Sequence, residues 1–267
     1  MAAAVSAITE RLPPPAHGEA HVWLAWTERF AAAETLDYCR TLLAQDELEK
    51  WRRFHFERDR QLYLVAHAMV RQVLAAYLAI APERLQFAAN RYGRPELVRE
   101  PGMPDLRFNL SHARGLAALV VTRSADCGID VEVRRELGDL AAMAGQVLTA
   151  AERDYLWRLP DTERNWAFLK LWTLKEATSK QWARGCRWHC MKLDLPSART
   201  SQSASKPAAA TLPASGSSRN AFRGRTTCWR WRCVAATARN CISLITNGYR
   251  SGRLDRALPR GKRKTPR

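Results

Sequence analysis

Asp130 and Glu132 stand one residue apart in Cys127–Val133, C-G-I-D-V-E-V, a segment that reads as a β-strand. Side chains alternate faces along a strand, so both carboxylates project one way while Ile129, Val131 and Val133 turn to the core. Two carboxylates side by side repel, and a hard cation relieves them. Mg²⁺ suits such a pair, since it takes one or two protein carboxylates together with water and substrate phosphates. By itself the pair reads more readily as an exposed acidic strand face. Further along, Lys175, Glu176 and Lys180 fall on a helix predicted over 162–180. Glu176 and Lys180 are four apart and share a face, which alone amounts to an ordinary helical ion pair.

The elements that must position these residues are legible in outline. A short strand-like run lies within 20–30, and a helical pattern runs from Thr35 to Leu74 with Leu48, Trp51, Phe54, Leu62, Val65, Met69 and Val73 at helical spacings. The stretch from Pro82 to Gly102 is loop-rich, with a tight turn at Tyr92-Gly93-Arg94-Pro95. Strands are predicted at Leu106–Leu110 and Ala117–Thr122, ahead of the carboxylate strand. Helices are predicted over 137–157 and 162–180, the second with an apolar face of Trp166, Leu169, Trp172 and Leu174. Beyond Ala177 the periodicity fails. Residues 196–226 have the composition of a linker, and Arg250–Arg267 is a basic tail.

Charge divides at the same place. The net charge of +17 would suggest a nucleic acid or an anionic surface as partner. Yet residues 177–267 carry 20 bases against two acids, Asp194 and Asp255, which leaves 23 bases and 24 acids for residues 1–176. The basic excess therefore belongs to the tail. No run approaches the roughly 18 apolar residues of a membrane span, and no basic segment followed by an apolar stretch opens the chain. The expected compartment is the cytoplasm.

Taken in order, Phe108-Asn109-Leu110-Ser111-His112, Gly128-Ile129-Asp130-Val131-Glu132 and Trp172-Thr173-Leu174-Lys175-Glu176-Ala177 resemble the motifs F-N-x-S-H, G-I-D-x-E and W-x-x-K-E-A of the 4′-phosphopantetheinyl transferase superfamily, in its larger, surfactin-synthetase-activating form. Tyr92-Gly93-Arg94-Pro95 resembles a fourth, the Y-G-K-P turn. The resemblance covers residues 20–180. It implies an Mg²⁺-dependent enzyme that moves the phosphopantetheine arm of coenzyme A onto a serine of an apo acyl or peptidyl carrier protein, releasing adenosine 3′,5′-bisphosphate. Carried over by motif, Asp130, Glu132 and Glu176 would bind the metal. Lys180 would hold a phosphate oxygen and support the leaving group. His112, with Ser111 and Arg94, would grip the 3′-phosphate, and Lys175 and Arg60 would join the coenzyme contacts. Glu132, Glu176 and Lys180 form the implied catalytic set, with either a glutamate or a metal-bound water taking the serine proton.

The implied fold is α+β, a pseudo-twofold pair of subdomains, each a small antiparallel sheet packed on a long helix. Residues 1–125 would form the first subdomain and 126–184 the start of the second. Residues 185–267 would be a basic, low-order tail, leaving the second subdomain incomplete and a sheet edge unpaired. A monomer is expected, with no specific nucleic acid and no membrane as partner.

After Lys-Glu-Ala the likeness stops. Back-translated with permitted codons and regrouped by one nucleotide, Thr178–Trp188 can spell Y-I-K-A-M-G-P-G-L-S-M, the family's continuation. A nucleotide lost near the Ala177 codon would explain the basic, unperiodic tail, and Lys180 is lysine in both frames. Cys186, His189 and Cys190 mimic half a zinc site but lack a second pair at zinc-site spacing. Trp229 and Trp231 amid basic residues mimic a nucleic-acid patch. Two rival readings follow: a polyanion-binding protein that works through its tail, and an inactive, truncated remnant of the transferase.

Overall fold

The computed structural model describes residues 11–181 and the backbone of two later strands, Arg232–Thr237 and Cys241–Asn247. The fold is α+β. Its strands are β1 (Glu19–Trp26), β2 (Phe87–Ala89), β3 (Pro95–Leu97), β4 (Leu106–Ala113), β5 (Leu116–Arg123), β6 (Gly128–Arg134), β7 (Arg232–Thr237) and β8 (Cys241–Asn247). Its helices are α1 (Ala33–Leu42), α2 (Gln45–Arg52), α3 (Glu57–Leu78), α4 (Leu140–Val147), α5 (Ala150–Arg158) and α6 (Asp161–Gln181).

The main sheet runs β4-β5-β1-β7, antiparallel throughout. Trp23, Phe108, Leu119 and Val121 on one face pack with Leu64, Val65, Met69 and Val73 of α3. Val22, Leu24, Ala118 and Val120 on the other face pack with Cys127, Ile129 and Val131. With both faces covered, β5 needs no polar alternation, and its run L-A-A-L-V-V-T is buried throughout. Replacing fully buried Ile129 by alanine should cost about 2–5 kcal/mol.

Three predictions change in the structure. The helical stretch 35–74 is three helices, and the single helix expected over 137–157 is two. The break falls at Thr149, whose hydroxyl accepts from the Glu152 amide (3.3 Å) while the Glu152 carboxylate accepts from the Thr149 amide (2.8 Å). This capping box starts a new helix and ends the old one. The loop expected over 82–102 holds the β2–β3 hairpin, turned by Gly93 at φ +80° and by the Asn90 side chain, which accepts from the Tyr92 and Arg94 amides.

The tail supplies two strands. β7 pairs antiparallel with β1, and β8 pairs parallel with β6, from Gly128 opposite Cys241 to Arg134 opposite Asn247. The second-subdomain sheet edge expected to stand open is therefore paired along β6, and the β6–β8 pair departs from the antiparallel expectation. A parallel neighbour needs a long crossover, and α4–α6 lie in the connection between β6 and β8. Cys186, His189, Cys190, Trp229, Trp231 and the rest of the tail lie outside the described residues. Among the described residues no helix is long and apolar enough to cross a membrane.

Candidate active site

Three elements converge on Asp130. β6 contributes Asp130 and Glu132, β4 contributes Ser111, and α6 contributes Trp172, Glu176 and Lys180. Two local devices bring them together. Asn109 of β4 accepts a hydrogen bond from the Ile129 amide at 2.9 Å, tying β6 alongside β4. Gly128 lets α6 lie directly against β6: a Cβ there would stand 1.8 Å from the Ala177 carbonyl oxygen and 2.7 Å from the Gln181 amide nitrogen. Only glycine permits that approach.

Trp172, Glu176 and Lys180 are four apart and form one stripe along α6. Both ends of the stripe grip the strand. The Trp172 indole donates to Glu132 at 3.1 Å, and the Lys180 ammonium donates to Asp130 at 2.6 Å. Half-buried Glu176 lies midway between them. Lys180 also donates to the Ser111 hydroxyl (3.1 Å), which in turn donates to the same Asp130 oxygen (3.1 Å).

Asp130 is 5% exposed. Its second oxygen, Oδ2, is buried and has no hydrogen-bond partner among the described residues. A buried carboxylate oxygen left bare is costly, and a cation is one ligand that would satisfy it. Burial raises the Glu132 pKa, and the Asp130 charge raises it further, against the indole hydrogen bond. Among the described residues no group of three His, Cys, Asp or Glu side chains is drawn close enough to hold a metal ion. The bare Asp130 oxygen on the strand face shared with Glu132 is the feature that fits one.

The remaining residues implied by the resemblance are distributed differently. Lys175 is buried, with its ammonium 2.8 Å from Glu152 of α5. Arg94 directs its guanidinium at four backbone carbonyls, those of Lys180 (2.9 Å), Gln181 (3.3 Å), Phe108 (2.6 Å) and Cys127 (3.2 Å). It thereby fastens the end of α6 to β4 and to the start of β6. Arg60 donates to the Phe54 carbonyl at 2.9 Å and pairs with Glu57 at 3.2 Å. Ser111 is buried against Asp130, whereas its strand neighbour His112 is exposed, as alternation requires. Desolvation by the surrounding protein lowers the His112 pKa, and the charges of His67 and Lys180 lower it further.

Sequence reasoning passed over Trp172, taken as core, and gave no role to Asn109, Gly128 or Glu152. The four-residue spacing to Glu176 and Lys180 was a signal for Trp172. The Thr149-x-x-Glu152 spacing was one for the helix start that places Glu152.

Comparison with known proteins shows the family of the chain. Residues 126–246 match the family described as the 4′-phosphopantetheinyl transferase superfamily, and residues 26–124 match 4′-phosphopantetheinyl transferase, N-terminal. The chain is 32% identical over 162 residues to 4′-phosphopantetheinyl transferase HetI of a Nostoc species, covering 61% of this chain and 68% of that protein. It is 32% identical over 146 residues to 4′-phosphopantetheinyl transferase AcpT of Salmonella typhimurium, covering 48% of this chain and 76% of that one. Among solved structures, Helicobacter pylori holo-[acyl-carrier-protein] synthase (AcpS) in complex with coenzyme A aligns with 39% of this chain and 99% of that one. The identity is 12% and the TM-score 0.31, a partial superposition that carries nothing over to the site.

Proposed function

We propose, since the chain belongs to the 4′-phosphopantetheinyl transferase superfamily, that the Asp130 cluster transfers the phosphopantetheine arm of coenzyme A to a carrier-protein serine. The bond formed joins the serine Oγ to the β-phosphorus of the coenzyme. The bond broken is the pyrophosphate bridge, and adenosine 3′,5′-bisphosphate leaves. The observation that carries this reading is the bare, buried Asp130 Oδ2 on a strand it shares with Glu132, beneath the Trp172–Glu176–Lys180 stripe.

Asp130, Glu132 and Glu176 would hold Mg²⁺, which when bound neutralises charge on the pyrophosphate oxygens. The chain's own groups do the rest. Lys180, with 28% of its side chain exposed, can swing from Asp130 to a phosphate oxygen and support the departing bisphosphate. Glu132 or Glu176 takes the serine proton, and the Trp172 indole holds Glu132 in place for its part. His112 offers its exposed ring to the 3′-phosphate. Arg94 contributes by fixing the end of α6, and so the position of Lys180.

The proposed partners are coenzyme A and an apo carrier protein, met in the cytoplasm by a monomer. The proposal keeps the subdomain division at residue 125 and the loss of one nucleotide near Ala177. The family match reaches residue 246, past that point, so the DNA decides the frame. Codons that cannot be regrouped into the family's continuation rule the shift out. The activity is tested by the intact mass of an apo carrier protein incubated with coenzyme A, Mg²⁺ and the chain. Gain of the arm is expected from the chain or from its frame-restored form. Gain from neither, across several carriers, contradicts the proposal.

A further inference from the structure

Between the β2–β3 hairpin and β4 lies a pocket of about 130 Å³, lined in part by Arg94, Glu96, Arg99, Asp105 and Arg107. Three guanidiniums stand there against two carboxylates, a surplus of one positive charge. Asp105 Oδ1 is 3.2 Å from Arg99 Nη1 and 3.2 Å from Arg107 Nε. Yet that oxygen is buried and accepts no hydrogen bond among the described residues. The two arginines therefore supply charge to it without an aligned N–H. Arg94 Nε is likewise buried and donates to nothing among the described residues, while both of its Nη atoms are spent on backbone carbonyls.

An open donor and an open acceptor, both buried and both on residues of one pocket, define what would fill it. The occupant accepts from Arg94 Nε and from the outer N–H groups of Arg99 and Arg107, whose side chains are 48% and 34% exposed. It also donates to Asp105 Oδ1. A metal cation fails the first requirement, and sulfate, which carries no proton at neutral pH, fails the second. Water meets both but leaves the surplus charge unanswered. Hydrogen phosphate meets all three: its oxygens suit guanidinium forks, its hydroxyl suits the carboxylate, and the pocket has room for a small anion. The place is also apart from the reacting centre. Arg107 lies four residues along β4 from Ser111, roughly 13 Å at about 3.3 Å per residue.

We propose that this pocket is a site for free hydrogen phosphate, separate from any coenzyme site, with Asp105 selecting the anion that carries a proton. Arg94 joins the site to the rest of the molecule, since the same side chain holds the Lys180 and Gln181 carbonyls at the end of α6.

The test is equilibrium dialysis of the full-length chain against radiolabelled inorganic phosphate at neutral pH, with unlabelled phosphate, sulfate or coenzyme A as competitor. Wild type should bind phosphate saturably. Sulfate should displace it about tenfold less well than unlabelled phosphate, the cost of leaving Asp105 Oδ1 unpartnered, and coenzyme A, whose phosphate is a monoester, should not displace it. Asp105→Asn, whose amide can donate to either anion, should erase the preference over sulfate. Arg107→Gln should weaken phosphate binding about tenfold. Absence of saturable binding, displacement by coenzyme A, or a preference that survives Asp105→Asn overturns the proposal. A second measurement needs no variant. With coenzyme A present throughout, the Arg94 Nε–H signal in a ¹H–¹⁵N spectrum of the wild type should shift as phosphate is added. A signal that stays in place also overturns it.

Discussion

Two lysines five residues apart on α6 each meet a buried carboxylate, and the two pairs are built for opposite ends. Lys175 and Glu152, 2.8 Å apart, have side chains only 3% and 10% exposed, and Glu152 also caps α5. Lys180 and Asp130, 2.6 Å apart, differ in that the lysine side chain is 28% exposed, whereas both carboxylates keep one buried oxygen, Glu152 Oε1 and Asp130 Oδ2, without a hydrogen-bond partner among the described residues. A sealed pair cannot trade partners without leaving an uncompensated charge, which makes it a strut. A half-open pair can trade. The Lys180 ammonium serves Asp130 as an internal counterion that a metal or a phosphate can displace at little cost.

The first way to break this contrast is at the sealed pair. Glu152→Gln keeps a residue that can still cap α5 but removes the counter-charge of buried Lys175. It should destabilise the fold by about 3 kcal/mol in urea unfolding, with transfer activity per folded molecule unchanged. Asp130→Asn should do the reverse, lowering the transfer rate about 10²–10³-fold while the unfolding midpoint barely moves. Gly128→Ala should harm both, because its methyl group displaces α6 from β6; about 1–3 kcal/mol of stability and most activity should go together. A circular-dichroism melt beside a rate assay reads all three.

A smaller effect sharpens the contrast from the α2–α3 side. Burial alone would raise the Glu47 pKa, but hydrogen bonds from His67, the Ala44 amide and Arg71, together with the Arg71 charge, bring it from the ordinary 4.5 down to about 2. The folded chain therefore holds this carboxylate ionised where the unfolded chain takes up a proton. Its contribution to stability is complete above about pH 4.5 and is lost as pH falls towards about 2. Glu47→Gln should flatten that part of the stability–pH curve.

What could be read in advance follows the range of the interaction. Alternation along β6 was enough to put Asp130 and Glu132 on one side, and the tertiary contacts agree, since both meet α6. The helical spacing of Trp172, Glu176 and Lys180 was equally visible, although the indole was assigned to the core. Partners far apart in sequence were out of reach. No local rule links Arg94 to the carbonyls of Phe108, Cys127, Lys180 and Gln181, Lys175 to Glu152, or His67 to Glu47. Each of those contacts exists only once the helices are docked on the sheet. The parallel pairing of β6 with β8 was hidden for the same reason, and Gly128 carried no warning that α6 would pass so close.

The most direct measurement sets Asp130→Asn and Glu152→Gln beside the unaltered chain, each given apo carrier protein, coenzyme A and Mg²⁺, with the carrier's intact mass followed over time. The half-open pair as reaction centre predicts conversion by the unaltered chain and by folded Glu152→Gln, with Asp130→Asn slower by two orders of magnitude or more. Asp130→Asn converting the carrier at the unaltered rate would contradict it.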